Sequence, residues 1–353
     1  MAFIHTIFEK LQRHPKRIVF PEGNDPRIIQ AAGEYVKRKL GPVILLGKRD
    51  EIAEIASQHG VGLVFINVID PEKADDLELF CDRLKKLPKY RDIADEEARK
   101  MMAIPNYFAA MMLQHGQVDG MVGGVSTASV SLLRPLFSLI KPLPGVPSVS
   151  SCMVMQVHNK QLAHKGLFFL ADCGVIPEPT VDQLAVIALE AAQLSRQLTG
   201  EKPNVAFLSF STRNSAKTHS TEKIIAATAL AQQRARDQNL EIEIDGELQA
   251  DAAIVPEIAQ QKAPDSPLKG QANVLIFPDL NSGDIATKLV QRLAKADAYG
   301  RILMGLSKPA ADISRGSTVQ DIVGVAAIIG LRAVAYRQLY PDQGIRIIPN
   351  SNE

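Results

Sequence analysis

Short runs of β-branched and other apolar residues alternate with longer segments of helical periodicity along most of this chain. Such alternation is typical of βαβ units, in which helices connect neighbouring parallel strands, so it predicts an α/β fold with parallel sheets. The predicted strands are 16–20, 42–46, 61–68, 118–122, 205–210 and 273–277. The predicted helices are 27–40, 50–59, most of 71–116, a helix containing Arg134, 223–238, a helix following Gly283, and a helix opened by 314–317.

The length of 353 residues allows two units with a core each and exceeds what one core of typical domain size needs. The segment 141–147 is rich in proline and glycine, which interrupt helices and strands. It is therefore the best candidate for a boundary between two units.

Positive and negative side chains nearly balance, with a formal net charge of +1. No overall field therefore favours nucleic acid or an anionic membrane, and any anion must be bound by local groups. The cysteines, Cys81, Cys152 and Cys173, are too far apart for a metal-binding or redox pair and indicate no disulfide framework. This usage suits a reducing cytosol, and the sequence shows neither a signal-peptide core nor an apolar run of roughly 18 residues. We therefore expect a cytoplasmic protein.

Polar loops that contain glycine or serine occur where predicted strands end and helices begin, at 123–129, 211–215, 281–284 and 314–317. Ligands of open α/β sheets bind at the carboxyl ends of strands, and helix N-termini offer N–H groups to anions. Each loop taken singly can equally be an ordinary helix cap or tight turn. The four together favour a phosphate-rich ligand.

Standard nucleotide and metal motifs are absent from the sequence. It contains neither the P-loop pattern G-x-x-x-x-G-K-S/T nor the dinucleotide pattern G-x-G-x-x-G. It also lacks a G-x-S-x-G elbow, an H-E-x-x-H motif and any other spaced set of metal ligands. We therefore expect no metal and no cofactor.

The segment 308–323 concentrates several chemically useful groups. Ser317 and Gln320 have the spacing of a capping box, which predicts that a helix begins there. A hydroxyl and a guanidinium, from Ser314 and Arg315, would then precede the helix N-terminus, and the carboxylate of Asp321 would lie on its first turns. The alternative is a capped helix whose arginine pairs with a nearby acid.

A series of ordered motifs resembles the phosphate acetyltransferase (phosphotransacetylase) family over nearly the whole chain, most densely from about 170 to 325. The motifs are Phe20-Pro-Glu-Gly, Ala171-Asp172, Ala206 to Ser211 with Ser-Ala-Lys217, Glu243-Ile-Asp-Gly-Glu-Leu-Gln249, Asp251-Ala-Ala253, Lys262-Ala-Pro-Asp-Ser-Pro267, Phe277-Pro-Asp-Leu-Asn281 and Asp312-Ile-Ser-Arg-Gly316.

The resemblance implies interconversion of acetyl-CoA plus phosphate with acetyl phosphate plus CoA, by direct transfer in a ternary complex and without metal or prosthetic group. It implies two α/β domains with a cleft between them, of isocitrate/isopropylmalate dehydrogenase-like architecture, and a homodimer. It places a discontinuous first domain at 1–145 plus 298–353 and a second domain at 146–297.

By the same resemblance, the family's catalytic serine and arginine correspond to Ser314 and Arg315, and its proposed base to Asp321. A further cleft arginine of the family has no clear match, and Arg83 or Lys85 lies closest. The residues expected to bind substrate are Arg134, Ser126, Thr127, Ser211, Asn281 and Gly283.

The sequence departs from the family pattern in the loop 123–129 and at Asp284, Met304 and Ala311. These departures leave open a butyryl or propionyl group in place of acetyl. Two other classes are a non-catalytic phosphotransacetylase-like regulatory or oligomerisation module, as at the end of some malic enzymes, and a dehydrogenase of the related architecture. A standalone chain with Ser314, Arg315 and Asp321 present favours the enzyme over the module, and the absence of a metal-binding aspartate set or nucleotide motif disfavours the dehydrogenase.

Overall fold

The structure, a computed structural model, describes residues 3–159 and 161–339. They form two compact units. The middle unit comprises Pro142–Gly305, and the terminal unit comprises the described residues up to Lys141 and from Leu306 onward.

The strands, in chain order, are β1 (Ile18–Phe20), β2 (Val43–Leu46), β3 (Ile66–Ile69), β4 (Gly120–Gly123), β5 (Ser150–Gln156), β6 (Leu167–Ala171), β7 (Asn204–Leu208), β8 (Glu243–Leu248), β9 (Val274–Ile276), β10 (Asp297–Met304) and β11 (Ala310–Asp312). The helices are α1 (Phe3–Gln12), α2 (Pro26–Lys37), α3 (Arg49–Gln58), α4 (Leu77–Lys85), α5 (Asp95–Met102), α6 (Pro105–His115), α7 (Ser129–Leu139), α8 (Val181–Thr199), α9 (His219–Asp237), α10 (Ala250–Ile254), α11 (Pro256–Lys262), α12 (Leu280–Leu293) and α13 (Val319–Leu339). Among the described residues, no helix is long and apolar enough to cross a bilayer.

The strands of the terminal unit run in the order β3-β2-β1-β4-β11, and their pairs are parallel. Parallel strands end at the same edge of a sheet, so the loops that follow neighbouring strands lie side by side. Here the loops after β1, β4 and β11 share the carboxyl edge. These loops contain Glu22 of the motif Phe20-Pro-Glu-Gly, the polar loop at 123–129 and the turn at 314–317.

The strands of the middle unit run in the order β10-β5-β6-β9-β7-β8. The pairs among β6, β9, β7 and β8 are parallel, although the sequence predicts only β7 and β9 as strands, whereas β5 is antiparallel to both β6 and β10. The chain returns from β5 to β6 through a short connection closed by the Val157 N–H, which donates to the Gly166 carbonyl at 2.8 Å. A return of this kind reverses strand direction, so the prediction of purely parallel sheets is wrong for these strands.

The core of the terminal unit contains α13, which packs against α1, α2 and β4. The side chains from Ile322 to Ile329 that are apolar are fully buried. A helix that is apolar on all sides is stable only when it is enclosed, and that explains the unbroken apolar sequence here. The first turn of α13 is therefore continuous with a helix that is packed in the core.

Two of the element boundaries that differ from prediction, those at the starts of β3 and α12, have clear local causes. β3 begins only at Ile66, because Phe65 has a φ of +61°, outside the β region, and the Ile66 N–H turns back to the Leu63 carbonyl. α12 begins at Leu280, since Asp279 accepts from the Ser282 N–H at 2.8 Å and caps the helix earlier than expected. Asn281 and Gly283 therefore lie on a helical turn and not in a loop.

Candidate active site

The loop after β4 wraps around the carboxylate of Glu22, which follows β1 and is only 6% exposed. Main-chain N–H groups of Gly124, Val125, Ser126 and Thr127 donate to its two oxygens at 2.8–2.9 Å. The hydroxyls of Ser126 and Thr127 donate to it at 3.0 and 2.8 Å. Consecutive N–H groups that converge in this way form an anion-binding nest, and here the anion is one of the protein's own side chains.

This arrangement bears on Ser126 and Thr127, which the sequence predicts to bind substrate. Their main-chain N–H groups and hydroxyls all contact Glu22, so in this structure the donors of the loop bind one of the protein's own carboxylates. A direct contact of either residue with substrate stays a prediction.

Gly124 allows the loops after β4 and β11 to approach closely. It has a φ of +105°, and a Cβ at this position would lie 2.4 Å from Asp312 Oδ1 and 2.7 Å from the Ile313 carbonyl oxygen. The Ile313 N–H donates to the Gly123 carbonyl at 2.7 Å, which extends the pairing of β11 and β4 by one step. Any side chain at 124 would therefore displace the chain just before Ser314.

Ser314 and Arg315 lie in an exposed tight turn between β11 and α13. The Ser317 N–H donates to the Ser314 carbonyl at 2.9 Å, and the Gly316 N–H donates to the Ser314 hydroxyl oxygen at 3.2 Å. The Arg315 carbonyl accepts from the guanidinium of Arg27 at 2.6 Å. The predicted catalytic pair is thus held by main-chain contacts while both side chains remain accessible.

The capping box at the start of α13 is formed by Thr318 and Asp321. The Asp321 N–H donates to the Thr318 hydroxyl oxygen at 3.2 Å, and the Thr318 N–H donates to Asp321 Oδ2 at 2.8 Å. The predicted box of Ser317 and Gln320 is wrong by one residue, because Ser317 is still within the preceding turn. Asp321 is half-buried, and at least one of its oxygens has a structural role.

Arg134 lies on the exposed side of α7, the helix that follows the Glu22-bound loop. Burial raises the pKa of Tyr107, and the positive charge of Arg134 opposes this shift. Lys85, one of the two alternatives for a further cleft arginine, forms an ion pair with Asp95.

The middle unit repeats the use of an internal carboxylate. The fully buried Ser211 donates its hydroxyl to Glu247 Oε1 at 2.8 Å, and the Asn214 N–H donates to the same oxygen at 2.8 Å. Glu247 lies on β8, next to the strand that the loop follows. Ser211, a predicted substrate ligand, therefore organises its loop in this structure.

Asn281 and Gly283 occupy the first turn of α12, with Asn281 exposed and Gly283 buried. A Cβ at Gly283 would lie 2.1 Å from the Asp172 carbonyl oxygen, so glycine is required for this approach. The side chain of Asp172 in turn accepts from Ser151, Gly174 and Ile176. These contacts place the start of α12 against the end of β6.

The three single residues that depart from the family pattern differ in how deeply they are buried. Met304 and Ala311 are fully buried in strands β10 and β11. Asp284 is half-buried and contacts Lys288 at 2.6 Å and Arg301 at 3.9 Å. Among these three side chains, only that of Asp284 reaches solvent.

Cys173 is not equipped as a nucleophile. It is 1% exposed, and burial raises its pKa to about 12. The thiolate, which is the reactive form, is then scarce at neutral pH.

Sequence reasoning missed Glu22, Arg27 and Glu247 as organisers of these loops. A usable signal was present for Glu22, because an acidic residue directly follows a buried strand in Phe20-Pro-Glu-Gly. At the carboxyl edge of a parallel sheet, such a residue faces the N–H groups of the neighbouring loop. Arg27 has no comparable signal, since a single arginine at the start of a helix does not indicate which carbonyl groups it will reach.

Residues 2–330 match the protein family described as Phosphate acetyl/butaryl transferase. The chain belongs to this family. It is 44% identical over 333 residues to the phosphate acetyltransferase of Acetivibrio thermocellus, an alignment that covers 94% of this chain and 98% of the relative.

Solved structures agree with this assignment. A phosphotransacetylase from Streptococcus pyogenes has a TM-score of 0.85 and 36% identity and covers 95% of this chain and 100% of its own. The 4-hydroxythreonine-4-phosphate dehydrogenase of Klebsiella pneumoniae, with a TM-score of 0.50 and 14% identity, covers 91% of this chain and 99% of its own. That second likeness concerns the fold alone and confirms the predicted relation to a dehydrogenase architecture.

Proposed function

We propose that this chain is a phosphate acetyltransferase that interconverts acetyl-CoA and phosphate with CoA and acetyl phosphate. The observation that carries the proposal is similarity over nearly the full length to proteins of that name. The turn that holds Ser314 and Arg315, followed by Asp321 on the first turn of α13, supplies the required groups. Its substrates are acetyl-CoA and phosphate, or CoA and acetyl phosphate in reverse.

The chemistry follows from four side chains of the terminal unit. In the direction of acetyl-CoA synthesis, the CoA sulfur attacks the acyl carbon, the bond from that carbon to the phosphate oxygen breaks, and the thiol proton passes to Asp321. A thiol with a pKa near 8.5 is mostly protonated at neutral pH, so a base accelerates the attack. Ser314 and adjacent N–H groups stabilise the oxyanion at the acyl carbon, and Arg315 and Arg134 bind the leaving phosphate.

Transfer is direct, and no acyl-enzyme forms. Support comes from Cys173, whose burial and raised pKa disfavour the thiolate that would have to attack the acyl carbon to form a thioester on this residue. We further propose that the enzyme works in the cytoplasm without metal or cofactor, binds neither nucleic acid nor membrane, and has domains at 1–145 plus 298–353 and 146–297. Direct contacts of Ser126, Thr127, Ser211, Asn281 and Gly283 with substrate remain part of this proposal.

The decisive experiment is release of CoA from acetyl-CoA by purified protein, followed with a thiol reagent. Release should require added phosphate and should produce acetyl phosphate in equal amount. A non-catalytic module predicts no release at any phosphate concentration. Phosphate-independent release would indicate a thioesterase and would contradict the proposal.

Acetyl-CoA should be a better substrate than butyryl-CoA. A single methylene in a binding pocket changes transition-state binding by roughly 1–3 kcal/mol, so the two acyl groups should be distinguishable by kcat/KM. The comparison uses phosphate at a fixed saturating concentration. A higher kcat/KM for butyryl-CoA would move the chain to the butyryl branch of its family.

A further inference from the structure

The guanidinium of Arg27 joins three segments of the terminal unit. Arg27 lies on the first turn of α2, close behind β1, and its side chain is 34% exposed. It donates to both oxygens of Asp25 at 3.1 and 2.8 Å. It also donates to three main-chain carbonyls, those of Val125 at 2.9 Å, Arg315 at 2.6 Å and Ser317 at 3.5 Å.

Asp25 fixes the orientation of this guanidinium. Its side chain is 11% exposed, and it also accepts from the Arg27 N–H at 2.9 Å, which caps α2. Burial raises the pKa of Asp25, but its hydrogen bonds to Arg27 outweigh this effect, so the net pKa lies below the usual value. The fork of the guanidinium is therefore held by a charged partner on one side while its other N–H groups face the loops.

The carbonyls that Arg27 contacts belong to the two loops of the candidate site. Val125 has its N–H bonded to Glu22 and its carbonyl bonded to Arg27. The segment 21–27 thus presents an anion to the N–H groups of one loop and a cation to the carbonyls of both loops. A rotation of the Arg315 or Ser317 peptide would break a contact with Arg27.

We propose that Arg27 is a positioning residue for acyl transfer, which sets the direction of the Ser314 and Arg315 side chains by holding the main chain of their turn. This inference rests on the proposed function. A guanidinium is needed because its planar fork can bind a carboxylate with both arms and still reach carbonyls on two loops. The lysine ammonium is a point charge and cannot span these acceptors together.

The test variant is Arg27→Lys, which keeps the charge. Misplacement of a reacting group by about 1 Å can cost about 10²-fold in rate, so kcat for CoA release should fall about 10- to 100-fold. KM for acetyl-CoA should change by less than about threefold, since a residue that acts through the turn does not itself bind CoA, whereas KM for phosphate should rise because Arg315 binds that group. A fall in kcat with a rise of similar size in KM for both acetyl-CoA and phosphate would instead identify Arg27 as a ligand-binding residue.

Arg17→Lys is the matched control. Arg17 contacts a carboxylate and a carbonyl as well, those of Asp119 and Gly116, each at 3.3 Å, and its side chain is 43% exposed. It precedes the same strand, β1, but lies at the opposite edge of the sheet. Its replacement should leave kcat within about twofold, because no site loop depends on it.

Chemical rescue separates positioning from a general loss of stability. Added guanidinium at low millimolar concentration should restore part of the kcat of Arg27→Ala and should leave Arg17→Ala unchanged. Circular dichroism checks that the variants are folded. If Arg27→Ala is not folded, Arg27→Gln replaces it in the rescue experiment.

Three results would overturn the inference: wild-type kcat in folded Arg27→Lys, an equal loss in Arg17→Lys, or absence of rescue in a folded Arg27→Ala or Arg27→Gln. If the wild-type chain releases no CoA, the proposed function itself fails and the inference fails with it. An active wild type with an unaffected Arg27→Lys removes the inference alone.

Discussion

Single buried carboxylates determine the local geometry of loops in both units. Glu22 binds the N–H groups of the loop after β4, and Glu247 binds groups of the loop after β7. A buried carboxylate is costly unless it is hydrogen-bonded, and each of these is bonded by at least two donors. The loops are consequently formed before any ligand binds, which lowers the cost of organising a site.

At the same scale, Asp321 has two testable roles. Asp321→Asn keeps an oxygen that can accept from Thr318 but removes the proton acceptor. If Asp321 is the base, kcat for CoA attacking acetyl phosphate should fall by roughly 10²–10⁴-fold with little change in KM. Steady-state kinetics on the folded variant provides the measurement.

Thr318→Ala is its control, because it removes the other half of the capping box. We expect it to lower the free energy of unfolding by about 1 kcal/mol and to leave kcat near the wild-type value. Near-normal kcat in a folded Asp321→Asn would end the general-base assignment and leave Asp321 as a cap only.

At the scale of elements, α13 and β4 pack so closely that glycine is needed between them. A Cβ at Gly120 would lie 2.3 Å from Ile329 Cγ2 and 3.1 Å from Ile18 Cδ1. Ile329 and Ile18 are fully buried, so neither can move aside into solvent. The strand that precedes the Glu22-bound loop is thereby set directly against the helix that carries Asp321.

This contact predicts a coupling between two substitutions. Gly120→Ala should destabilise the protein by about 1–3 kcal/mol through overpacking, and Ile329→Ala by about 2–5 kcal/mol through a cavity. The double variant should lose less free energy of unfolding than the sum of the two single losses, by about 0.5–3 kcal/mol. The reason is that the added methyl group occupies the space that the Ile329 side chain vacates.

Denaturant unfolding of the four proteins measures this coupling. Gly62→Ala is the control, since nothing lies within 4 Å of a Cβ at that position. Strict additivity of the two core substitutions would show that Gly120 and Ile329 do not compete for the same space.

At the scale of the whole molecule, the apolar helical sequence 323–334 does not indicate a subunit interface. Such a sequence can form an interface or internal core, and its apolar side chains from Val323 to Ile329 are buried in the core of the terminal unit. The expectation of a homodimer therefore rests on the family alone.

Light scattering at micromolar concentration tests the homodimer. We expect a mass of twice the 38.4 kDa of the chain. The measurement should be repeated at several concentrations, because association follows mass action. A monomer throughout this range would contradict the prediction.

Much of the fold could be read from local sequence, because periodicity reports which faces of an element are apolar. The strands β1, β2 and β9 and the helices α2, α3 and α9 lie within a few residues of prediction. The sequence does not predict the strands β5, β6, β8, β10 and β11, and the antiparallel direction of β5 could not be read in this way in any case, since a buried strand has the same composition in either direction.

The same distinction between local sequence and tertiary contacts applies to the candidate site. The sequence by itself determined the family, the α/β class and the cluster of Ser314, Arg315 and Asp321, because these depend on residue identity and order along the chain. Only the tertiary structure decided that Glu22 and Arg27 bind the loops around that cluster, from about 100 and 290 residues away. Contacts over such distances depend on which strands become neighbours. The position of Glu22 directly after a strand marks it as a candidate, but no local pattern of residues specifies which loop it contacts.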